Sequence, residues 1–574
     1  HLLKSITWLS DYYLTPLPTV AQMALPKGLT KNRRKLPEPV PTPSKLPIIP
    51  LNPAQKQALQ ALHACPTPTK LLHGVTGSGK TNIYLKLAQE ALQAQKSTIL
   101  LVPEIALTSQ LVQVFENTFG GHITLIHSNQ TESTRHQIWE NLLISNDPQI
   151  VIGPRSALFA PLKNLGLIII DEAHESAYYQ ENTPKYSALR LASFIGSTTK
   201  TTVIQGTATP LIADYYLAHR LHSVIPLTTK AKTTAIKPTI KIIDFKSKTA
   251  FSKNRYFSTP LLTTIKTNLK NHRQTLIFHN RRGSAPLTLC EKCGWQALCP
   301  NCFLPLTLHT DNYQLICHTC GHQAKVPLSC PECKTPGIIH KGFGTKLLES
   351  ELTQLFPTAK IARFDADNTK AQSLNTKYDA VKNGEIDIII GTQTIAKGLD
   401  LKNLATVGVV QADAGLSLPD YAAEERTFHL LTQVLGRVGR GHIAEANAFI
   451  QTYQPDHPII KYAINNDYIS FYNYLIKKRQ AAHLPPYRFL AKLSITYKTE
   501  KTTLSHIQNI EKLLRSHTNL EVSPPTPAFH ERNNRGYTWQ LIIKARSRTQ
   551  LLGALKFLPK NSNTHLALDP PSLL

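Results

Sequence analysis

A glycine-rich stretch has the residue spacing of a phosphate-binding loop. It reads Gly74-Val75-Thr76-Gly77-Ser78-Gly79-Lys80-Thr81, which fits the pattern G-x-x-x-x-G-K-T at every position. In this pattern backbone N–H groups surround phosphate oxygens, the lysine reaches the β- and γ-phosphates, and the threonine hydroxyl ligates Mg²⁺. The alternative is an ordinary glycine-rich turn. The apolar residues Leu71 and Leu72 before the loop and the helical pattern after it favour nucleotide binding.

An acidic motif follows an all-apolar strand farther along the chain. The sequence Asp171-Glu172-Ala173-His174 comes directly after the apolar residues 167–170. We expect Asp171 to ligate Mg²⁺, directly or through water, and Glu172 to activate the attacking water. By itself this motif could also begin a helix. Its place after a buried strand and after a phosphate loop indicates a nucleoside triphosphatase.

Composition limits the partners and the compartment. The chain has 574 residues, enough for about four domains at ~150 residues each. Its formal charge of +27 indicates a polyanion such as nucleic acid, with a generally basic composition as the alternative. No apolar run reaches the length of a membrane span and no signal peptide is recognisable, so we expect a cytoplasmic protein without a membrane partner.

Two series of apolar strands, each strand ending in a polar loop, predict two α/β lobes with parallel sheets. The first lobe covers residues 51–230, with strands near 98–102, 149–152 and 202–204. The second covers residues 231–288 and 335–460, and its strands are expected at 275–278, 360–364, 386–390 and 406–410. Ligands of such sheets bind at the carboxyl ends of the strands.

Only the first lobe carries a phosphate loop, which indicates that a nucleotide is clamped between the lobes. A helical stretch ends in residues 433–440 of the second lobe. Arg437 and Arg440 are about one helical turn apart and could reach the γ-phosphate from there. Arginines on a helix are more often plain surface residues, which is the alternative.

Eight of the nine cysteines form four C-x-x-C pairs between the first two predicted strands of the second lobe, in an insert at 289–334. Eight thiolates suffice for two tetrahedral zinc sites, whose closed all-cysteine ligation makes them structural. Disulfides and iron–sulfur clusters are the alternatives. Several pairings are open. In one of them the inner pairs share one ion and the outer pairs share the other. The pairs are Cys290 with Cys293, Cys299 with Cys302, Cys317 with Cys320, and Cys330 with Cys333.

The ends of the chain are less informative. The chain starts at His1 and not at Met, so we expect a fragment in which residues 1–28 are the end of an N-terminal DNA-binding region. Residues 29–50 form a basic linker rich in proline, which favours an extended chain. Residues 461–574 are expected to hold a linking helix and a C-terminal domain.

The motif series resembles superfamily 2 helicases. The cysteine insert is more specific and resembles the PriA family of bacterial replication-restart helicases, also called primosomal protein N′. The resemblance covers nearly the whole chain. It rests on residues 74–81, 103–108, 153–156, 171–175, 206–210, the cysteine insert, 342–345, 391–398, 433–440 and 536–541.

The resemblance implies two RecA-like parallel-sheet lobes, a small two-zinc insert and a C-terminal α+β domain. It implies an ATP-driven helicase that unwinds DNA 3′ to 5′, recognises stalled or abandoned forks and initiates replication restart by primosome assembly. The expected cofactors are ATP, Mg²⁺ and two Zn²⁺. The expected partners are forked and single-stranded DNA, primosome proteins and single-stranded DNA-binding protein, with the chain itself a monomer.

The resemblance also assigns residues. It implies the nested zinc pairing, with Cys290, Cys293, Cys330 and Cys333 on one ion and Cys299, Cys302, Cys317 and Cys320 on the other.

Gln55 stands where many helicases place an adenine-reading glutamine, with an ordinary surface glutamine as the alternative. Tyr178, Tyr179 and Tyr186 match an aromatic-rich loop that stacks on bases, and packing against the second lobe is the alternative. The residues expected to carry hydrolysis are Lys80, Thr81, Asp171, Glu172, Gln433, Arg437 and Arg440. Arg155, Arg281 and Thr392 are candidates for strand contacts.

The sequence departs from the family pattern at a few places. Ala173 stands where the family usually has Glu, and Leu435 and Val438 stand where it often has Ala. Two other functions stay open: another superfamily 2 enzyme, such as an RNA helicase or duplex translocase, and a zinc-dependent assembly scaffold with a dispensable motor.

Overall fold

The structure is a computed structural model. It describes residues 1–28, 47, 49–103, 110–127, 130–229, 238–279, 288–290, 292–309, 313–339, 344–364, 380–392, 401, 403–439, 445–517, 520–559 and 563–574. The chain divides into two compact units, residues 1–233 and 234–574.

The first unit is built on a seven-stranded parallel sheet with the order β3-β4-β2-β5-β8-β1-β9. Its central strands are almost wholly buried, which explains their continuous apolar sequences. A separate antiparallel pair, β6 and β7, lies in the connection after β5. The strands are β1 (Thr69–Gly74), β2 (Ser97–Leu101), β3 (Ile123–Leu125), β4 (Ile150–Gly153), β5 (Leu165–Asp171), β6 (Tyr179–Gln180), β7 (Tyr186–Ser187), β8 (Thr202–Thr207) and β9 (Val224–Leu227).

The helices of the first unit pack against this sheet and begin at recognisable capping residues. Thr131 and Ser187 cap α6 and α7 by accepting hydrogen bonds from the backbone N–H groups of Thr134 and Arg190. The core contains Leu62 and Ile83 from the helices. The helices are α1 (Leu2–Tyr12), α2 (Leu17–Ala24), α3 (Pro53–Ala64), α4 (Lys80–Gln93), α5 (Gln110–Phe119), α6 (Glu132–Ile144), α7 (Ala188–Thr199) and α8 (Ile212–Arg220).

The aromatic residues near the start of the chain pack on α7. The Trp8 ring stacks between Tyr12 and Phe194, with centroid separations of 4.4 Å and 4.6 Å. The Tyr13 hydroxyl accepts a hydrogen bond from the Ser187 backbone N–H. The amphipathic segment 1–28 therefore has its apolar partner within the first unit.

The second unit contains a six-stranded parallel sheet with the order β10-β20-β19-β11-β18-β17. Phe257, Leu261 and Ile277 belong to its core. The strands are β10 (Thr239–Asp244), β11 (Gln274–Phe278), β17 (Ile361–Phe364), β18 (Ile388–Gly391), β19 (Leu404–Val409) and β20 (Asn447–Thr452). The helices of this part are α9 (Thr259–Lys270), α10 (Thr345–Leu355), α11 (Asp413–Leu416), α12 (Ala423–Leu435), α13 (Pro458–Asn465) and α14 (Tyr468–Ala481).

A small β-rich module is inserted between β11 and α10. Its first and last strands, β12 (Leu289–Cys290) and β16 (Ile338–Ile339), pair with each other and close its neck. Between them lies an antiparallel sheet of β13 (Thr307–His309), β14 (Gln314–Ile316) and β15 (Gln323–Lys325).

The C-terminal part of the second unit is an antiparallel sheet with helices. Its order is β22-β24-β21-β25, and β23 also pairs with β24. The strands are β21 (Phe489–Tyr497), β22 (Glu521–Val522), β23 (Thr526–Asn533), β24 (Gly536–Ala545) and β25 (Thr564–Leu568), and the helices are α15 (Glu500–His517) and α16 (Arg548–Leu555). The predicted fold class, with two parallel-sheet lobes, a cysteine-rich insert and a C-terminal α+β domain, is confirmed.

The strand predictions need two corrections. Both sheets have strands that were not predicted: β3 and β9 in the first unit, and β10 and β20 in the second. Three of these four lie at an edge of their sheet, where one side of the strand is exposed and the apolar run is interrupted. Because β10 precedes β11, the cysteine insert follows the second strand of its lobe and not the first. Among the described residues, no helix combines the length and apolarity needed to span a membrane.

A buried ion pair joins α12 to α14. Arg479 is 3% exposed and its guanidinium donates to the Glu425 carboxylate at 2.6 Å. An exposed pair, Lys461 with Asp456 at 2.8 Å, lies nearby in the same unit. We expect Arg479→Met to lower the free energy of opening of α12 by about 3 kcal/mol, because it leaves the Glu425 charge buried without its partner. Hydrogen exchange of residues 423–435 measures this.

The matched control is Lys461→Met, which removes a solvated pair and should leave the exchange unchanged. Equal exchange in the Arg479→Met protein and the wild type would show that the pair does not hold α12.

Candidate functional site

The phosphate loop connects the carboxyl end of β1 to the first residue of α4. Gly77 and Gly79 both have φ near +78°, a backbone conformation that favours glycine. A Cβ atom at Gly74 would lie 2.8 Å from the Ser78 hydroxyl oxygen, so the loop closes tightly on itself. The Lys80 ammonium donates to the Gly74 carbonyl oxygen at 2.9 Å, and Thr81 follows in the first turn of α4.

The loop has the donors that an anionic phosphate needs. The Ser78 hydroxyl is buried and has no hydrogen-bond partner among the described residues. It lies beside the N-terminus of α4, where unpaired N–H groups and the helix dipole attract negative charge. The residues present therefore fit a nucleotide phosphate chain.

The acidic motif lies at the carboxyl end of β5, next to β8 and one strand away from β1. Burial, followed by the neighbouring Glu172 carboxylate, raises the pKa of Asp171 to about 6. Tyr84 of α4 donates to Asp171 Oδ1 at 3.0 Å, and the Tyr178 hydroxyl donates to the Asp171 backbone carbonyl at 2.6 Å. The Glu172 side chain is 43% exposed, so it is open to water. A carboxylate beside a phosphate loop is a suitable ligand for Mg²⁺.

The loop after β8 is bonded to the acidic motif. The Ala173 N–H donates to the Gly206 carbonyl, and His174 Nδ1 lies 2.6 Å from the Thr207 hydroxyl oxygen. Residues 173 and 174 are therefore bonded to residues 206 and 207 at the carboxyl edge of the sheet, and the Tyr84 bond to Asp171 joins the same motif to the helix that follows the phosphate loop.

Gln55 is buried beside the phosphate loop, so it is not the ordinary surface glutamine of the alternative. It is 2% exposed, and its amide donates to the carbonyls of Ser78 and Gly79 at 3.2 Å each. Its side-chain oxygen accepts from the Asn52 N–H, while Asn52 caps α3. Both ends of the amide thus hold the phosphate loop and the start of α3. The adenine-reading role of Gln55 stays a prediction.

The aromatic-rich loop also differs from expectation. Tyr178 and Tyr186 are 2% and 0% exposed, so neither ring has a free face on which a base could stack. Tyr186 packs against Phe159, within the first unit. The predicted stacking of Tyr178 and Tyr186 on bases is therefore corrected. Tyr179 is only partly buried and keeps that prediction.

Arg155 is directed at the same loop. Its guanidinium donates to the Ala177 carbonyl at 2.8 Å and to the Gln180 side chain at 3.3 Å. A strand bound at Arg155 would therefore be linked through residues 177–178 to the backbone of Asp171.

The predicted residues of the second lobe lie in the second unit. Gln433 is in the last turn of α12, which ends at Leu435, so Arg437 lies in the following turn and not on the helix. Thr392 follows β18 directly. Arg281 and Arg440 lie outside the described residues, as do residues 104–108.

The eight clustered cysteines form two groups, and within each group the four sulfur atoms lie within 4.8 Å of one another. One group is Cys290, Cys293, Cys330 and Cys333, and the other is Cys299, Cys302, Cys317 and Cys320. This is the nested arrangement. Sulfur–sulfur distances of 3.5 Å exceed a disulfide bond of about 2.05 Å and suit the edges of a tetrahedron around one metal ion.

The surroundings favour a thiolate at Cys333, one of the four cysteines of the outer group. The Thr335 hydroxyl lies 2.9 Å from the Cys333 sulfur, and this hydrogen bond lowers the pKa of Cys333 to about 6. The Trp295 N–H donates to the Cys293 sulfur at 3.4 Å, but burial outweighs this bond and raises the pKa of Cys293 to about 12. Thiolate sulfur is the form that binds zinc, so the donor sets fit two Zn²⁺ ions. Thr335 was not predicted, since a threonine beside a C-x-x-C pair has no distinctive spacing.

Comparisons with known families define the class. The model for DEAD/DEAH box helicases matches residues 52–215, and the model for the helicase conserved C-terminal domain matches residues 336–442. The chain therefore has both motor domains of a helicase. The model for the PriA DNA helicase Cys-rich region matches residues 299–325, and that for the primosomal protein N C-terminal domain matches residues 480–571.

Curated relatives identify the family. Replication restart protein PriA of Bacillus subtilis is 36% identical over 490 residues, which cover 85% of this chain and 60% of that protein. The PriA protein of Rickettsia conorii is 35% identical over 581 residues, covering 100% of this chain and 89% of that protein. The chain belongs to the PriA family of replication restart proteins, and the expected resemblance is confirmed. A structure of RecG bound to a three-way DNA junction is 16% identical, with a TM-score of 0.46 over 75% of this chain and 47% of that chain.

The cysteine groups lead to a prediction about metal content. We expect Cys302→Ser to lower the bound zinc from about two ions per chain to about one, because three remaining thiolates hold the inner ion weakly. Metal analysis after dialysis measures the ratio. The matched control is Cys65→Ser: Cys65 is a buried cysteine of the first unit whose sulfur contacts the Thr67 hydroxyl. Unchanged zinc in the Cys302→Ser protein would contradict the assignment.

The contacts of Gln55 lead to a second prediction. Gln55→Ala removes bonds to the phosphate loop, so it should weaken the binding of ADP and of inorganic pyrophosphate by a similar factor of about 5. An adenine-reading residue would affect ADP alone, since pyrophosphate has no base. Competition binding measures both ligands. Gln89→Ala is the control, because Gln89 is a buried glutamine of α4 that donates to the Pro47 carbonyl and not to the loop.

Proposed function

We propose that the chain is an ATP-dependent DNA helicase that moves 3′ to 5′, recognises stalled or abandoned replication forks and initiates replication restart by primosome assembly. The observation that carries the proposal is the presence, in one chain of the PriA family, of a connected nucleotide site and two four-cysteine centres. The direction of movement, the fork preference and the assembly role come from the family resemblance.

In the proposed mechanism the first unit binds ATP. The Lys80 ammonium exchanges the Gly74 carbonyl for phosphate oxygens, and the backbone N–H groups of residues 77–79 hold the phosphate chain. Thr81 and Asp171 would hold Mg²⁺, and the ion would neutralise the charge that develops on the phosphates. Glu172, which is exposed to water, orients and deprotonates the attacking water molecule.

The family resemblance assigns further residues of ATP hydrolysis to the second unit. We assign to Gln433, Arg437 and Arg440 the binding of the γ-phosphate when the lobes close. After hydrolysis the lobes open again. Repeated closing and opening of the lobes moves the DNA strand. Arg155, Tyr179, Arg281 and Thr392 are the proposed strand contacts. We assign residues 51–230 to the first lobe, 231–288 and 335–460 to the second, and 289–334 to the zinc insert.

The proposed partners follow the same resemblance. They are forked and single-stranded DNA, primosome proteins and single-stranded DNA-binding protein, with the chain acting as a monomer in the cytoplasm. The net charge of +27 supports a polyanionic partner. The zinc centres, being closed, serve as scaffolds for surfaces and not for hydrolysis.

The experiment measures ATP hydrolysis without nucleic acid, with single-stranded DNA and with RNA of equal length. We expect stimulation by DNA alone, and a loss of about 100-fold in the Lys80→Ala protein, because charge on the phosphates is no longer neutralised. Partial duplexes with a 3′ or a 5′ single-stranded tail then report direction, and only the 3′-tailed substrate should be unwound.

Three other results would contradict parts of this proposal or favour a different function. Equal stimulation by RNA would favour a broader superfamily 2 enzyme. Unwinding of the 5′-tailed substrate would contradict the direction. A Lys80→Ala protein that still loads its partner proteins on DNA would favour an assembly scaffold whose motor is dispensable.

A further inference from the structure

Tyr84 is a fully buried tyrosine that none of the sequence motifs singled out. It lies four residues after Lys80 on α4, which places it one helical turn farther from the phosphate loop. Its hydroxyl donates to Asp171 Oδ1 at 3.0 Å. A tyrosine hydroxyl carries its proton at neutral pH, so it is the donor in this bond to the carboxylate.

Gly206 lies beside the hydrogen bond from Tyr84 to Asp171. In the sheet Gly206 is the direct neighbour of Asp171, on β8. A Cβ atom at Gly206 would lie 1.7 Å from the Tyr84 hydroxyl oxygen and 2.8 Å from the ring carbon that carries it. A side chain at position 206 would therefore push the phenol away from the carboxylate. Because Gly206 has no side chain, the Tyr84 hydroxyl can occupy this space and reach the Asp171 carboxylate.

The same aspartate is held on its main chain as well. The Tyr178 hydroxyl donates to the Asp171 backbone carbonyl, and also lies 3.1 Å from the Leu101 carbonyl. With Tyr178 on the backbone and Tyr84 on the side chain, neither part of Asp171 rotates freely. A metal ligand whose orientation is fixed before the metal binds loses less entropy on binding.

We propose that Tyr84 is a positioning residue that orients the Asp171 carboxylate for Mg²⁺, and that Gly206 is required to leave space for it. The inference rests on the proposed function, since it takes Asp171 as the metal ligand. It adds a residue of α4, outside the phosphate loop, to the residues that set the metal affinity of the site.

A purely structural role makes a different prediction. If the Tyr84 hydroxyl only satisfied its own hydrogen bond in the core, its removal would lower stability and leave metal binding unchanged. The test therefore measures metal binding directly and not only turnover.

The experiment compares the wild type with Tyr84→Phe, which keeps the ring and removes the hydroxyl. Electron paramagnetic resonance measures the concentration of unbound Mn²⁺ in a titration of the protein–ADP complex, and this gives the Mn²⁺ affinity. A separate titration gives the ADP affinity without metal. We expect Mn²⁺ affinity to fall about 10-fold, as is typical when the partner of a metal ligand is removed. The ADP affinity without metal should stay within about twofold, because the hydroxyl that Tyr84→Phe removes donates to Asp171.

Tyr13→Phe is the matched control. Tyr13 is another buried tyrosine of the first unit, and its hydroxyl accepts from the Ser187 N–H. Its loss costs a comparable hydrogen bond away from Asp171 and should leave Mn²⁺ affinity at the wild-type value. Gly206→Ala should reproduce the loss in Mn²⁺ affinity, and the double variant with Tyr84→Phe should bind Mn²⁺ no more weakly than either single variant, because both changes remove the same bond.

Wild-type Mn²⁺ affinity in Tyr84→Phe, whether or not Gly206→Ala folds, would overturn the proposal while leaving the ATPase assignment intact. A wild-type ADP complex that binds no Mn²⁺ would overturn both, since Asp171 would then not hold the metal.

Discussion

The register of three neighbouring strands, β5, β8 and β1, is the constraint on which the first unit depends. Asp171 stands beside Gly206, and His73, the residue before the phosphate loop, stands beside Thr207. Because all three strands are parallel, their carboxyl ends form one edge. A shift of β5 by one residue would turn the carboxylate of Asp171 away from Tyr84 and toward the other face of the sheet. The hydrogen bonds of Ala173 and His174 to β8 hold that register locally.

In the first unit, side chains from loops near the candidate site are buried in the core. Tyr178 belongs to a polar connection, yet its ring is buried and its hydroxyl bonds two carbonyls at the strand ends. Gln55 is likewise buried, and its side-chain amide donates hydrogen bonds to the phosphate loop. Buried polar groups of this kind restrict a site to one arrangement, because an unmade bond in the interior costs about 1–3 kcal/mol.

The second unit joins three modules through a few specific contacts. The knuckle of the inner cysteine group docks on the C-terminal sheet, where the His318 carbonyl accepts from Thr526 and Gln540. The buried carboxylate of Asp420, just before α12, accepts from the Ser572 hydroxyl and the Leu573 N–H. The start of the helix that carries Gln433 is thus bonded to the segment 570–574. A change in the C-terminal domain would reach that helix through these bonds.

Local patterns in the chain were sufficient for the phosphate loop, the acidic motif, the four C-x-x-C pairs and the two-lobe fold class, because each depends on residues close in sequence or on runs of apolar residues. They were insufficient where a role depends on distant partners. The exposure of Tyr178 and Tyr186, the contacts of Gln55, the edge strands β3, β9 and β10, and the bond from Tyr84 across Gly206 to Asp171 were settled only by tertiary packing. Tyr84, Asp171 and Gly206 lie far apart in the chain, and nothing in their spacing distinguishes them from an ordinary core tyrosine, an acid and a strand glycine. Only the packing of α4 on β5 and β8 brings them together.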